Sequence, residues 1–365
     1  MACKWQNNAI RFINMAKEDF PLHNLIKQFR EERGWSQQEL AEKAGLSRTG
    51  VSAIEMGKLV PSTAAALSLA KIFSCRVEDI FQLNNLDKER WAWPPAHEPC
   101  RYWRAFIDGN LLLFPVEPSP LGMLPHDGVY RDGRLLDSPI VDPMKTLVVA
   151  CCDPAIGLLA AEYARTTDFR MLVLPRSSRQ SLQLLRDGLV HIAGLHLAES
   201  RTPEKNAKVA KDILNVPFRL LRVTNWQEGL ALAPGLRLNT VDQVLAGDVR
   251  WIGREPGSGA RQVLDELLQG AAAPAHVARD HRGVVEAVRS GWADAGISLR
   301  LVSEEAGLQF ISVREEAYDL CIPEASLEDS RVRALVEVVR SKSLRGIIGD
   351  LPGYDVKDTG ELIKP

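Results

Sequence analysis

From Thr146 onward, short apolar runs alternate with amphipathic segments, and this alternation restricts the fold more than any other feature of the chain. TLVVACC, RMLVLP, HIAGLHL, VRWIGRE and ADAGIS are brief, nearly continuous apolar runs bounded by turn residues, the pattern of strands covered on both faces. DPAIGLLAAEYART, RSSRQSLQLLRDG, GSGARQVLDELL and EDSRVRALVEVVRS carry apolar residues at helical spacing. Strands alternating with helices predict an α/β sheet with helices on both faces. FRLLRVTN and EGLALAP read as two further strands with little between them, and EEAYDLCIPEA reads as a late strand.

In open α/β sheets a ligand sits outside the carboxyl ends of the strands. Four stretches are expected there: Cys152-Asp153-Pro154, Arg176-Ser177-Ser178, Gly257–Arg261 and Asp294–Ser298. Two of them are helix N-termini with a serine and a nearby arginine. The first N–H groups of a helix have no partner inside it, so such termini attract anions. REPGSGARQVLDELL has the look of a phosphate loop, but an enzyme is disfavoured. A P-loop needs Lys and a hydroxyl after its last glycine, where Gly259 is followed by Ala260 and Arg261. A dinucleotide fingerprint needs glycine where Gln262 stands, and no G-x-S-x-G elbow occurs. We assign no catalytic residue and no cofactor.

Residues 21–83 read as a string of short helices. An apolar face begins at Leu22 and ends at Gly34. Ser36 with Glu39 forms a capping box ahead of a second helix. Ala44-Gly45-Leu46 makes a tight turn, Ser47 caps a third helix, and Pro61-Ser62 opens a fourth. Gln37, Leu40-Ala41, Gly45, Ser47, Val51, Ile54-Glu55, Gly57-Lys58, Pro61-Ser62 and Ala70 together resemble the lambda-repressor/Cro-like, xenobiotic-response-element-type helix-turn-helix family. The resemblance implies that the third helix enters the major groove of double-stranded operator DNA. Arg48, Thr49, Ser52 and Ala53 then face base edges, while Gln37, Ser47 and Lys58 face phosphates. It also implies a homodimer on two half-sites.

Residues 91–145 are rich in Pro, Gly and Trp. Asp108-Gly109, Asp127-Gly128 and Asp132-Gly133 read as turns of hairpins in a small β-rich connector. The C-terminal part, through RSSRQSLQLLRDGLVHIAGLHL, WQEGLALAPG, REPGSGARQVLDELL, AVRSGWADAGIS, EEAYDLCIP and LPGYD, resembles the type II periplasmic-binding-protein superfamily, and within it molybdate-binding-protein-like domains fused to helix-turn-helix regulators. The fold class expected is therefore multi-domain: an all-α helix-turn-helix unit (21–83), a β-rich connector (91–145) and a two-lobed α/β ligand-binding domain (146–365). The resemblance implies lobe 1 at about 146–226 and 317–365, lobe 2 at about 229–314, and a hinge near Asn225–Glu228 and Arg314–Tyr318. It implies ligand contacts at Ser177, Ser178, Ser258 and Tyr318, to which position adds Cys152, Asp153, Gly259 and Arg261. Asp153 beside the cleft would repel a dianion. The ligand is left as an oxyanion such as molybdate or tungstate, a molybdenum-cofactor-like pterin, or another small metabolite with a donor group.

The net charge of −2 excludes a general basic coat for nucleic acid, although residues 1–83 hold 11 Lys and Arg against 9 Asp and Glu. No apolar run is long enough to span a bilayer, and the first residues lack the apolar core of a secretory signal, so a cytoplasmic protein is expected. The six cysteines form no C-x-x-C and the seven histidines show no ligand spacing, so no metal site is assigned. The vicinal pair Cys151-Cys152 is the one arrangement suited to a redox or soft-metal role.

Overall fold

A computed structural model of the chain describes residues 22–83, 89–137, 141–202, 204–269 and 274–365. Cys3 and the N-terminal segment examined for a signal lie outside the described residues. The chain divides into two compact units, residues 1–89 and 90–365.

The first unit holds five helices, α1 (Ile26–Glu32), α2 (Gln37–Ala44), α3 (Arg48–Glu55), α4 (Thr63–Phe73) and α5 (Val77–Ile80), among its described residues. Leu22 does not begin a helix as its spacing suggests. Leu22–Asn24 (β1) pairs antiparallel with Phe81–Leu83 (β2), tying the two ends of the unit together. The capping box at Ser36 and Glu39 is formed, and Gly45 turns α2 into α3 at φ +65°. Leu40, Ala41, Ala44, Val51, Ile54, Leu69 and Phe73 make one core. The Arg30 guanidinium, nearly buried, donates to Glu55 at 2.6 Å and to the Trp35 carbonyl at 2.8 Å, locking α1 to α3.

The second unit begins with β3 (Arg90–Trp91), β4 (Cys100–Ile107), β5 (Asn110–Pro115), β6 (Gly128–Arg131) and β7 (Arg134–Asp137), a single five-stranded sheet. Asp108-Gly109 and Asp132-Gly133 close its hairpins with both residues at positive φ, as a type I′ turn requires. Asp127-Gly128 is not a turn. Asp127 is buried in a two-pronged ion pair with Arg170, at 2.6 and 2.8 Å, and Gly128 starts β6 under the Tyr102 ring, where a Cβ would lie 2.2 Å from the phenol oxygen. This sheet shares a core with the next domain: Trp103, Ala105, Leu112 and Phe114 pack with Val148, Ala150, Leu172 and Leu174. Arg331 donates to the carbonyls of Phe106 and Thr146 across the seam, both at 2.9 Å.

The remaining strands are β8 (Thr146–Cys151), β9 (Arg170–Pro175), β10 (Ile192–Glu199), β11 (Phe218–Leu232), β12 (Trp251–Arg254), β13 (Val277–Ala278), β14 (Ala295–Leu299), β15 (Gln309–Pro323), β16 (Tyr354–Asp355) and β17 (Leu362–Ile363). They interleave with α6 (Ile156–Thr166), α7 (Ser178–Arg186), α8 (Glu204–Ile213), α9 (Val241–Ala246), α10 (Gly259–Leu268), α11 (His281–Arg289), α12 (Arg300–Glu305), α13 (Ser330–Arg340) and α14 (Lys342–Gly349). The strand order is β13-β12-β14-β11-β15-β10-β8-β9. FRLLRVTN and EGLALAP are one strand of 15 residues, β11, and β15 is equally long. The two run antiparallel from Phe218↔Pro323 to Leu232↔Gln309. One half of this ribbon carries β10, β8 and β9; the other carries β14, β12 and β13. The hand-over lies at Trp226↔Glu316 and Glu228↔Arg314.

Candidate functional site

The carboxyl ends of parallel strands from both halves of the sheet face a cleft of about 580 Å³. Cys152-Asp153-Pro154 follow β8, Arg176 follows β9, Glu255 follows β12, and Arg279–Arg282 follow β13; all line it. A larger concavity of about 1010 Å³ lies between Pro120-Leu121 and α6, but no unpartnered buried polar group among the described residues lines it. The smaller cleft carries the chemistry.

From Cys152 at its wall a chain of polar side chains runs inward, half-buried at Cys152 and Arg314 and buried between them. Cys152 Sγ lies 2.9 Å from His196 Nε2, and His196 Nδ1 lies 2.9 Å from Glu316 Oε2. Trp226 Nε1 donates to the same carboxylate at 3.3 Å, and the Arg314 guanidinium bonds its other oxygen. A β-bulge in β10 between Leu195 and Ala198 inserts the extra residue that re-aims His196 into this cluster. Gly259, the first residue of α10, presses against His196; a Cβ there would stand 2.5 Å from its carbonyl and 2.9 Å from its ring. Trp226 stacks on Tyr318 at 4.6 Å and meets the edge of His196 at 5.3 Å.

The electrostatics follow from burial and neighbours. Burial opposes charge on His196, but the Cys152 sulfur and the Glu316 carboxylate outweigh it and hold the imidazole well above its ordinary pKa. Burial and the nearby Glu316 charge push the fully buried Glu228 well above the carboxylate range, so it is neutral while Glu316 is ionised. Arg314 Nη2 lies 3.6 Å from Glu228. Burial, then the charges of Arg254 and His196, hold His281 well below its ordinary value, so its ring is neutral. Burial raises Asp153 to about 6, against hydrogen bonds from the Ala155 N–H at 2.8 Å and the Tyr354 hydroxyl at 3.0 Å.

Two buried side chains here keep polar atoms without a hydrogen-bond partner: both ring nitrogens of His281, and Nε and Nη1 of Arg254. Ser177 opens α7 in a capping box with Gln180, and the Tyr318 hydroxyl lies against the Cys151 thiol. The other anticipated residues are engaged internally. Ser178 Oγ accepts from the His196 N–H at 3.1 Å. Ser258 Oγ caps its helix by accepting from the Arg261 N–H and donates to the Glu255 carbonyl at 3.0 Å. Arg261 pairs with Asp265 at 2.7 Å and lines a separate surface groove with Ser258. Asp294 precedes β14 rather than following it, and its carboxylate pairs with Arg250 away from the cleft. Sequence reading missed His196, His281, Arg254, Glu228 and Glu316. The available signal was a polar residue set inside an otherwise apolar strand, as in HIAGLHL.

In the first unit, Arg48, Thr49 and Ser47 are exposed at the start of α3, Lys58 is exposed beyond its end, and Ser52 and Ala53 are half-buried. Ser47 Oγ accepts from the Gly50 N–H at 3.0 Å, and Gln37 Nε2 donates to Glu55 at 2.8 Å.

The helix-turn-helix family description matches residues 26–80. The chain is 44% identical over 62 residues to the uncharacterized HTH-type transcriptional regulator YgzD of Bacillus subtilis strain 168, covering 94% of that protein and 17% of this chain. The PBP superfamily domain matches residues 160–340. The chain is a helix-turn-helix regulator with a PBP-like domain. The uncharacterized protein YvgK of the same organism is 31% identical over 198 residues, 52% of this regulator, and the match spans 64% of YvgK's own length. Solved structures with a looser likeness include the tungstate ABC transporter of Geobacter sulfurreducens (14% identity, TM-score 0.45, 56% of this chain and 98% of that one) and an ABC-type phosphate transport receptor of Vibrio cholerae (12%, TM-score 0.41, 60% and 100%). No helix among the described residues is long and apolar enough to cross a membrane.

Proposed function

We propose that this regulator binds operator DNA through α3 and changes its operator affinity when a small ligand occupies the cleft of its PBP-like domain. One observation supports the ligand most strongly. His281 is buried at the cleft with both ring nitrogens unpartnered, and the buried Arg254, whose charge acts on it, leaves Nε and Nη1 unpartnered. Each such atom costs about 1–3 kcal/mol unless something pairs with it, and a bound ligand would recover that cost. The cleft is lined from both halves of the sheet, so a ligand that spans it favours the closed arrangement of the lobes. It shifts the equilibrium only by its differential affinity for the two arrangements.

On the DNA side, Arg48 and Thr49 present to base edges, with Ser52 and Ala53 behind them, and Ser47, Gln37 and Lys58 meet phosphates. The protein acts as a homodimer on paired half-sites. The test begins with a duplex selected from a random library by the full-length chain. Its affinity is then measured with and without small molecules that raise the melting temperature of the protein. A shift of tenfold or more supports the reading. Unchanged DNA affinity with every stabilising compound refutes the switch.

A further inference from the structure

We propose that the ligand of this cleft is a transition-metal ion of borderline-to-soft character, held by Cys152 Sγ, His196 Nε2 and a ring nitrogen of His281. This deepens the sensor reading above and rests on it only for the consequence to DNA binding. Ligand atoms of the three residues already lie within 4.8 Å of one another. Thiolate with two imidazoles is a donor set that suits Zn(II) or Cu(I) and discriminates against Mg(II) and Ca(II).

Two further observations point to an ion. The first is His281, 1% exposed with neither ring nitrogen bonded. A buried imidazole with an unpartnered ring nitrogen is what a metal requires, and no hydrogen bond in the protein satisfies it. The second is the support behind His196. Its Nδ1 is bonded to Glu316, which fixes the tautomer that turns Nε2 toward the sulfur, as carboxylates do behind metal-bound histidines. Glu316 is braced in turn by Trp226 and Arg314. The thiolate and Glu316 supply negative charge against the ion. Arg254, whose charge acts on His281, has Nε and Nη1 without partners.

The geometry also assigns the ion a mechanical role. Cys152 and His196 belong to the β8–β10 half, while His281 follows β13 in the other half. Zn–S and Zn–N bonds of about 2.3 and 2.0 Å put ligand atoms roughly 3.3–3.5 Å apart in a tetrahedron. The Sγ–Nε2 pair must open by about 0.6 Å, and His281 must approach by no more than about 1.5 Å to meet that spacing. Binding releases the proton between Sγ and Nε2 to solvent and leaves the Nδ1–H bond to Glu316 in place.

The experiment uses the full-length chain, reduced and freed of metal with a chelator. Titration with Co(II) is expected to give one ion per chain, with a thiolate-to-cobalt charge-transfer band and the strong visible bands of tetrahedral cobalt. Zn(II) should abolish both and protect Cys152 from alkylation, mapped by mass spectrometry. Cys152→Ser should lose the charge-transfer band and His281→Gln should weaken binding at least tenfold. Glu316→Gln, which keeps all three ligands, should weaken it roughly 10- to 100-fold. Should a variant fail to fold by circular dichroism, the wild-type band and the alkylation protection still decide the matter. No charge-transfer band in the wild type, or a band that survives in Cys152→Ser, overturns the site. Zn(II) bound tightly without effect on DNA affinity supports the site and refutes the switch. A different small molecule that shifts DNA affinity while no metal binds overturns the site and leaves the switch standing.

Discussion

Replacing His281 with leucine should make the empty protein more stable. The side chain is buried, its ring is neutral, and both nitrogens lack partners. Two unsatisfied polar atoms at about 1 kcal/mol each, the lower end of the usual range, give roughly 2 kcal/mol of cost in the free state. Leucine has a similar volume and no polar atoms, and its imperfect shape costs under about 1.5 kcal/mol. The local scaffold survives the change: Ser298 Oγ bonds the His281 carbonyl, and Asp280 caps α11 through the Gly283 N–H at 2.7 Å. The net expectation is a gain of about 1 kcal/mol, or about 2–4 °C in melting temperature for a domain of this size. Differential scanning calorimetry in excess chelator, at neutral pH, measures it. The same variant should lose all stabilisation by Zn(II). Stability below that of the wild type under chelation would refute the claim that His281 is held unsatisfied for a ligand.

Gly259→Ala should destabilise by about 1–3 kcal/mol through overpacking against His196, whereas Gly346→Ala, in α14 with nothing within 4 Å of its Cβ, should stabilise by about 0.5–1 kcal/mol; parallel thermal melts compare them. Buried His191, whose Nδ1 accepts from the Val148 N–H, has its pKa lowered to about 3 by burial and by the Arg331 charge. The unfolded chain takes up this proton below about 6.5 and the folded one does not, so stability is lost as pH falls from that value toward 3. Between pH 6.5 and 4.5 the loss should reach roughly 2.3 kcal/mol, its slope rising to about 1.4 per pH unit, and urea titrations of His191→Gln should lack that component. Arg48→Ala should cost about 1–3 kcal/mol at the selected duplex and relax its sequence preference, while Lys58→Ala should weaken all duplexes alike and lower the salt slope by about one; fluorescence anisotropy across a salt series separates the two.

The DNA-reading unit was legible because its signals are local. Ser36 and Glu39, Gly45, and Ser47 each act within one turn of their own helix, so the chain order displays them. The exception, Leu22–Asn24, is set by a strand partner about 60 residues away at Phe81–Leu83, which no local pattern reveals. In the second unit the strand ends were legible and the cluster at their centre was not. Cys152, His196 and His281 are separated by 44 and 85 positions, and only the parallel strand order brings them together. Polarity also misled. Asn225, Gln227 and Glu228 interrupt an apolar run and suggest a break, yet β11 continues through them, because Glu228 is neutral in its buried site and Arg222 Nη1 donates to Asn225 at 3.0 Å. Serines at helix starts suggest anion contacts, but a hydroxyl that caps its own helix, like Ser258, is already engaged.

The two lobes are joined by a ladder of backbone pairing along β11 and β15 that slips in register at two places, between Arg222 and Thr224 and between Glu228 and Gly229. Such a connection behaves as a torsion spring. It cannot melt to let the lobes swing, so it stores rotation in the twist of the ribbon and concentrates it at the two slips. Travel is therefore short and return is quick. Trp226 and Glu316 sit between the two slips, so a rotation of the lobes would pass through the pair that braces His196.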